Sequence, residues 1–160
     1  MASTRERLIA SWRLTKARHA AAAFDGEGAR RAGGRWNSPG YPVVYTSASA
    51  SLAALEIVVH VPRSELLASY VVFACELPES LITRIALRDL PPKWQTSPVP
   101  PDAQAIGDEW LRSGRSAVLE VPSAVVESES NYLLNPAHRD FARIRIGPAR
   151  PFLFDSRLAR

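Results

Sequence analysis

Apolar and polar positions along this chain sort it into short strands and a few helices. Leu8-Ile9-Ala10-Ser11-Trp12-Arg13-Leu14 predicts a first strand with Trp12 and Arg13 at its end. His19 to Phe24 is alanine-rich and predicts a helical turn. Asp25 to Gly34 holds four glycines and the adjacent Arg30 and Arg31, which predicts a loop whose backbone N–H groups can approach an anion. It fits neither a Walker loop nor a dinucleotide G-x-G-x-x-G pattern. A turn at Asn37-Ser38-Pro39-Gly40 leads into the short apolar run Val43-Val44-Tyr45. Ser47, Ser49 and Ser51 are candidate caps for a helix over Leu52 to His60, and Pro62 stops it. The spacing of Leu52, Leu55, Val58 and Val59 predicts its buried face, with Glu56 at the edge of that face.

The second half is punctuated by proline. Ser69 to Leu77 and Leu81 to Leu87 predict strands separated by a turn at Pro78-Glu79-Ser80. Residues 91 to 101 hold five of the thirteen prolines and predict an irregular connector. Asp102 to Arg112 predicts an amphipathic helix ended by Ser113-Gly114. Ser116 to Val121 predicts a strand broken by Pro122-Ser123, and Asn131 to Pro136 a short apolar piece closed by a turn. His138 to Ala142 predicts one helical turn, Arg143 to Ile146 an alternating strand, and Phe152 to Asp155 the last strand. Without repeats or linkers, residues 1–160 predict one α+β domain, a mixed and largely antiparallel sheet with flanking helices.

Composition narrows the functional classes only modestly. The lone Cys75 lies in an apolar run, which excludes a disulfide framework and predicts a core thiol. The start is charged and no apolar run is long enough to span a bilayer, so the expectation is a cytoplasmic protein without a membrane partner. The net charge is +4 and Lys16 and Lys93 are the only lysines. Arginine suits phosphate and carboxylate, although a GC-rich genome also yields such a bias. The excess of base permits an anionic ligand, a nucleic acid or an acidic protein without choosing among them.

Three histidines lie far apart and no H-x-x-x-H or C-x-x-C occurs, so no metal site is expected. No G-x-S-x-G elbow is present. Glu56 reads in two ways, as a boundary carboxylate pairing with an arginine or His60, or as a glutamate facing a cleft. His60 reads as a C-terminal residue favoured by the helix dipole. Arg35, Tyr45 and Glu56 together supply an anion clamp, a stacking ring and a negative charge, the parts needed to handle a phosphorylated cation. Ser123, Ser128, Ser130 and Asn131 form a later cluster of small polar residues.

Taken in order, Trp12-Arg13, Gly26-Glu27-Gly28-Ala29-Arg30, Gly33-Gly34-Arg35-Trp36-Asn37, Pro42-Val43-Val44-Tyr45, Ala54-Leu55-Glu56 with His60, Val121-Pro122-Ser123 and Asn131 to Pro136 resemble the RES domain. The likeness runs on through Phe154 to Leu158. It implies a fold similar to ADP-ribosyltransferases and the toxin of a bacterial type II toxin–antitoxin pair. Such a toxin acts as an NAD phosphorylase or glycohydrolase and is neutralised by a cognate antitoxin, often an Xre-like DNA-binding protein. Nucleic acid is then met only through that antitoxin. The implied catalytic residues are Arg35, Tyr45 and Glu56. The implied substrate contacts are Arg35, Tyr45, Ser123 and Asn131, with Ser128 and Ser130 competing for the family serine. No cofactor is implied: NAD is the substrate and phosphate a possible co-substrate. In this picture Glu56 stands by the ribose, Arg35 neutralises the diphosphate, Tyr45 stacks on nicotinamide, and Ser123 bonds a phosphate or ribose oxygen. An RNA-directed toxin, a protein ADP-ribosyltransferase and a non-catalytic binding domain are the competing readings.

Overall fold

The apolar run near the start becomes β1 (Leu8–Lys16), which pairs along its whole length with β3 (Tyr70–Pro78), from Leu8↔Pro78 to Lys16↔Tyr70. The computed structural model describes residues 4–160. Between these strands lie α1 (Glu27–Ala32), β2 (Val44–Ser47) and α2 (Ala50–His60). Then come β4 (Ile82–Arg84), α3 (Pro101–Ser113), β5 (Val118–Pro122), β6 (Ser130–Leu134), β7 (Arg145–Ile146) and β8 (Arg150–Phe152). The sheet runs β4-β5-β6-β2-β1-β3-β7, and β8 also pairs with β3. Among the described residues the one parallel pair is β4–β5, so the mixed, largely antiparallel α+β architecture expected from the sequence is what forms.

Register decides which side chains meet, because partners directly opposite in an antiparallel pair share a face. Trp12 opposes Ser47, Ser47 opposes Asn131, and Asn131 opposes Val121. Tyr45, two residues before Ser47, opposes Leu133 on that same face. There Leu119, Val121 and Leu133 pack with Trp36, Trp94 and Trp110 beneath α3. The alternate residues Val44, Val118 and Leu134 fill a core with Cys75 and Leu77. Burial pushes the Cys75 thiol up to about 11, as befits an inert core residue.

Ser49 caps α2 by accepting from the Leu52 N–H at 3.0 Å. The buried face differs from the predicted one. Leu52 and Ala53 are buried, whereas Leu55 and Val59 are 43% and 55% exposed. The helix is apolar almost all round, so two faces satisfy the spacing; the one with the small Ala53 packs with Leu14, Tyr70 and Phe154. The glycine-rich segment is not all loop, since Asp25 accepts from the Glu27 N–H at 2.9 Å and starts α1. The last strand lies two residues earlier than expected and includes Pro151, while Phe154 enters the core. Leu81 to Leu87 keeps only the three-residue β4. No helix among the described residues is long and apolar enough to cross a membrane.

Candidate active site

The face that carries Tyr45, Ser47 and Asn131 opens into a cleft of about 560 Å³, bounded by α2, by the loop after α1 and by the end of β1. Arg35, Tyr45, Glu56 and Asn131 all line it, and so do Arg13 and His60.

Glu56 is held on one oxygen. Its Oε1 accepts from Ser123 Oγ and from Asn131 Nδ2, each at 2.8 Å. Ser123 in turn accepts the backbone N–H groups of Val125 and Val126 at 3.0 Å, and Asn131 Oδ1 accepts from Ser47 Oγ at 2.8 Å. The other oxygen, Oε2, has His60 Nε2 at 3.8 Å, beyond hydrogen-bond range but within reach of its charge. Burial acts to raise the Glu56 carboxyl. The nearby His60 ring and the donors Asn131 and Ser123 outweigh that and hold it below the usual glutamate range. Glu56 is therefore an anion at neutral pH with a fixed direction.

Tyr45 donates its phenol to Asn37 Oδ1 at 2.6 Å and accepts from the Trp36 N–H at 3.2 Å. Burial pushes that phenol far above its ordinary value, so it stays protonated. A side chain at position 34 would evict it, because a Cβ on Gly34 would lie 2.6 Å from the phenol oxygen. What Tyr45 offers the cleft is its ring. Asn37 organises the loop below, donating from Nδ2 to the carbonyls of Ala29, Ser38 and Tyr41 at 2.9 to 3.2 Å.

Arg35 donates from one guanidinium nitrogen, Nη1, to the carbonyls of Trp94 and Thr96 at 2.6 and 3.1 Å. Its Nε and Nη2 bond nothing among the described residues, and Arg35 lines the cleft. Burial lowers its pKa, and the charge of Glu56 opposes that. Arg13 ties β1 to its neighbours, donating to the carbonyls of Ala23 and, at 3.0 Å, Tyr45. Burial lowers its pKa as well.

Four of the five expected site residues thus share one cleft. The fifth, Ser123, is fully buried and sits behind Glu56 rather than on the cleft surface. It orients the carboxylate, which replaces the expected hydrogen bond to a phosphate or ribose oxygen. Asn131 reaches the cleft with its amide engaged on Glu56 and Ser47. Ser128 is exposed and Ser130 is the first residue of β6; neither bonds Glu56. Arg13, Asn37, Ser47 and His60 carry no site role in the sequence reading. Besides their place in the pieces that resemble the RES domain, Arg13 is marked by a charge inside an apolar strand and His60 by its i+4 spacing from Glu56. The remaining acid on the rim, Asp25, is engaged at the start of α1. The cleft therefore combines one fixed carboxylate, an open guanidinium edge and an aromatic ring, a set able to stabilise a growing cation next to a bound anion.

A family model described as the RES domain matches residues 10–155. The chain is 39% identical over 149 residues to a protein of Yersinia enterocolitica named Toxin Res, covering 92% of this chain and 97% of that one. A Photorhabdus laumondii protein, also named Toxin Res, is 40% identical over 151 residues, covering 93% and 96%. A Sphingobium protein named Prs ADP-ribosylating toxin is 36% identical over 154 residues, with coverage of 93% and 96%. Among solved structures, a chain of the M. tuberculosis MbcT–MbcA toxin–antitoxin complex matches with a TM-score of 0.76 at 20% identity, covering 92% of this chain and 86% of that one. That last likeness is one of fold.

Proposed function

We propose, from the premise that this chain belongs to the RES domain family, that it is the toxin of a toxin–antitoxin pair and depletes NAD by breaking the nicotinamide–ribose bond. The carbon–nitrogen bond at the ribose C1′ breaks and its electron pair passes to the pyridinium nitrogen. Nicotinamide leaves neutral, so no general acid is needed and one carboxylate suffices where a glycosidase employs two. An acceptor oxygen, from phosphate or water, forms the new bond to C1′; with water, a proton is released to solvent.

The observation that carries this reading is Glu56: one oxygen is held by Ser123 and Asn131, and the carboxylate lines the cleft it shares with Arg35 and Tyr45. An ionised carboxylate of fixed direction stabilises the oxocarbenium-like ribose without reorganising as charge develops. The open edge of Arg35 takes the diphosphate by charge-assisted bonds, and the Tyr45 ring faces the nicotinamide. Beyond NAD and an acceptor, the reaction calls for no cofactor. The toxin–antitoxin neighbour supports a cognate antitoxin as the partner in the cell, and the family resemblance alone suggests that it is an Xre-like DNA-binding protein.

The test is to incubate purified protein with NAD, with and without phosphate, and to follow products by mass spectrometry. Free nicotinamide with ADP-ribose or its 1″-phosphate is expected; NAD left intact under every acceptor condition overturns the reading. The name of the Sphingobium relative favours a second acceptor, a protein side chain, attacked through the same C1′ chemistry. ADP-ribose attached to a protein in a lysate supplied with labelled NAD would select it.

A further inference from the structure

We infer that α3, through Gln104 and Asp108, is the element that positions Arg35 for an anionic group of the ligand. None of its residues lines the cleft, yet the loop that carries Arg35 is fastened to it at both ends. Gln104 Nε2 donates to the carbonyl of Gly34 at 3.0 Å and to that of Asn37 at 3.2 Å, on either side of Arg35 and Trp36. Asp108 accepts the backbone N–H of Ser38 at 2.8 Å and its hydroxyl at 2.6 Å. Between them the helix touches the loop backbone: a Cβ on Gly107 would stand 1.7 Å from the Trp36 carbonyl oxygen. A glycine is required at that approach.

The tip of the arginine is restrained from the far side. Its Nη1 donates to the carbonyls of Trp94 and Thr96, and the Trp94 ring packs against Trp36 with centroids 5.8 Å apart. Backbone and side chain are thus pinned by different parts of the chain. One guanidinium edge, Nε and Nη2, bonds nothing among the described residues and can meet a ligand. A two-point guanidinium–phosphate contact depends on direction as well as charge, so loosening the loop weakens the contact while Arg35 itself is unchanged. Gln104 and Asp108 are positioning residues in this sense, since they touch the arginine's loop without lining the cleft themselves.

The inference rests on the reading that Arg35 binds the diphosphate of NAD, and the experiment separates the two. Turnover is measured with NAD and with nicotinamide riboside, which has the same scissile bond and no phosphate. Arg35→Ala lowers kcat/KM for NAD and spares nicotinamide riboside if the diphosphate reading holds; equal loss on both substrates removes that reading and this inference with it. With that control in hand, Gln104→Ala raises KM for NAD by about tenfold, leaves kcat within about twofold, and leaves nicotinamide riboside unchanged. Combined with Arg35→Ala it adds nothing further. Gln104→Glu, which keeps the shape and replaces the donors, gives the same split and serves if the alanine variant folds poorly. Equal loss on both substrates from the Gln104 variants, or a loss that adds to that of Arg35→Ala, overturns the inference alone.

Discussion

The two walls of the cleft solve different problems. On the acidic wall, Glu56 projects from a capped helix and is met by side-chain donors from the end of β5 and from β6. On the basic wall, Arg35 projects from a loop and is met by backbone carbonyls. The chemistry of the two charges explains the contrast. A half-buried carboxylate neutralises itself by taking a proton unless donors stabilise its charge, so its surroundings must protect ionisation. A guanidinium stays charged in either setting, and its surroundings need only fix where it points. The acidic side is built for charge and the basic side for aim.

Glu56→Gln strikes hardest at this contrast. It keeps shape and fold while removing the charge, and kcat/KM for NAD is expected to fall by about 10²–10³, with a loss of stability no larger than the ionised carboxylate contributes. A rate equal to the parent would end the electrostatic account of that wall.

Ser123→Ala has an intermediate effect. It removes one donor from Glu56 and strands the N–H groups of Val125 and Val126, so a loss of about 1–3 kcal/mol in denaturant unfolding is expected. It also shifts the pH profile. The Glu56 carboxyl lies below the usual glutamate range in the folded protein. Its contribution to stability is therefore complete above that range and is lost as pH falls through the depressed value. Removing the serine donor raises that value, so the acid limb of kcat/KM moves to higher pH. No movement would mean that Ser123 does not act through the carboxylate.

Val59→Ser is the smallest change and the control for both walls. On the exposed side of α2 it should alter stability by no more than about 0.5 kcal/mol, measured by thermal unfolding, with NAD turnover unchanged.

Local signals made much of this legible. Serine before an apolar run and proline after it located α2, and glycine at position 114, in the left-handed conformation, closed α3. Arg35, Tyr45, Glu56 and Asn131 reached one cleft because β2 and β6 pair in the middle of the sheet. What failed depended on partners distant in sequence. The exposed side of α2 could not be told from its buried side when both are apolar. Ser123 was legible as a site residue but not in its role, since it meets Glu56 only through the folding of β5 beside β6. The fastening of residues 34–38 by Gln104 and Asp108 spans about seventy residues and leaves no periodic trace. The helix at Glu27–Ala32 was hidden by the glycines around it.

The sheet ends in stubs. One margin is the three-residue β4; at the other, β3 is covered by two short pieces, Arg145–Ile146 and Arg150–Phe152, with prolines at 148 and 151. A foreign strand seeking a continuous ladder of amides finds no marginal strand longer than three residues among the described residues. The backbone itself thus guards against fibre growth, leaving the exposed leucines and valines free of that duty.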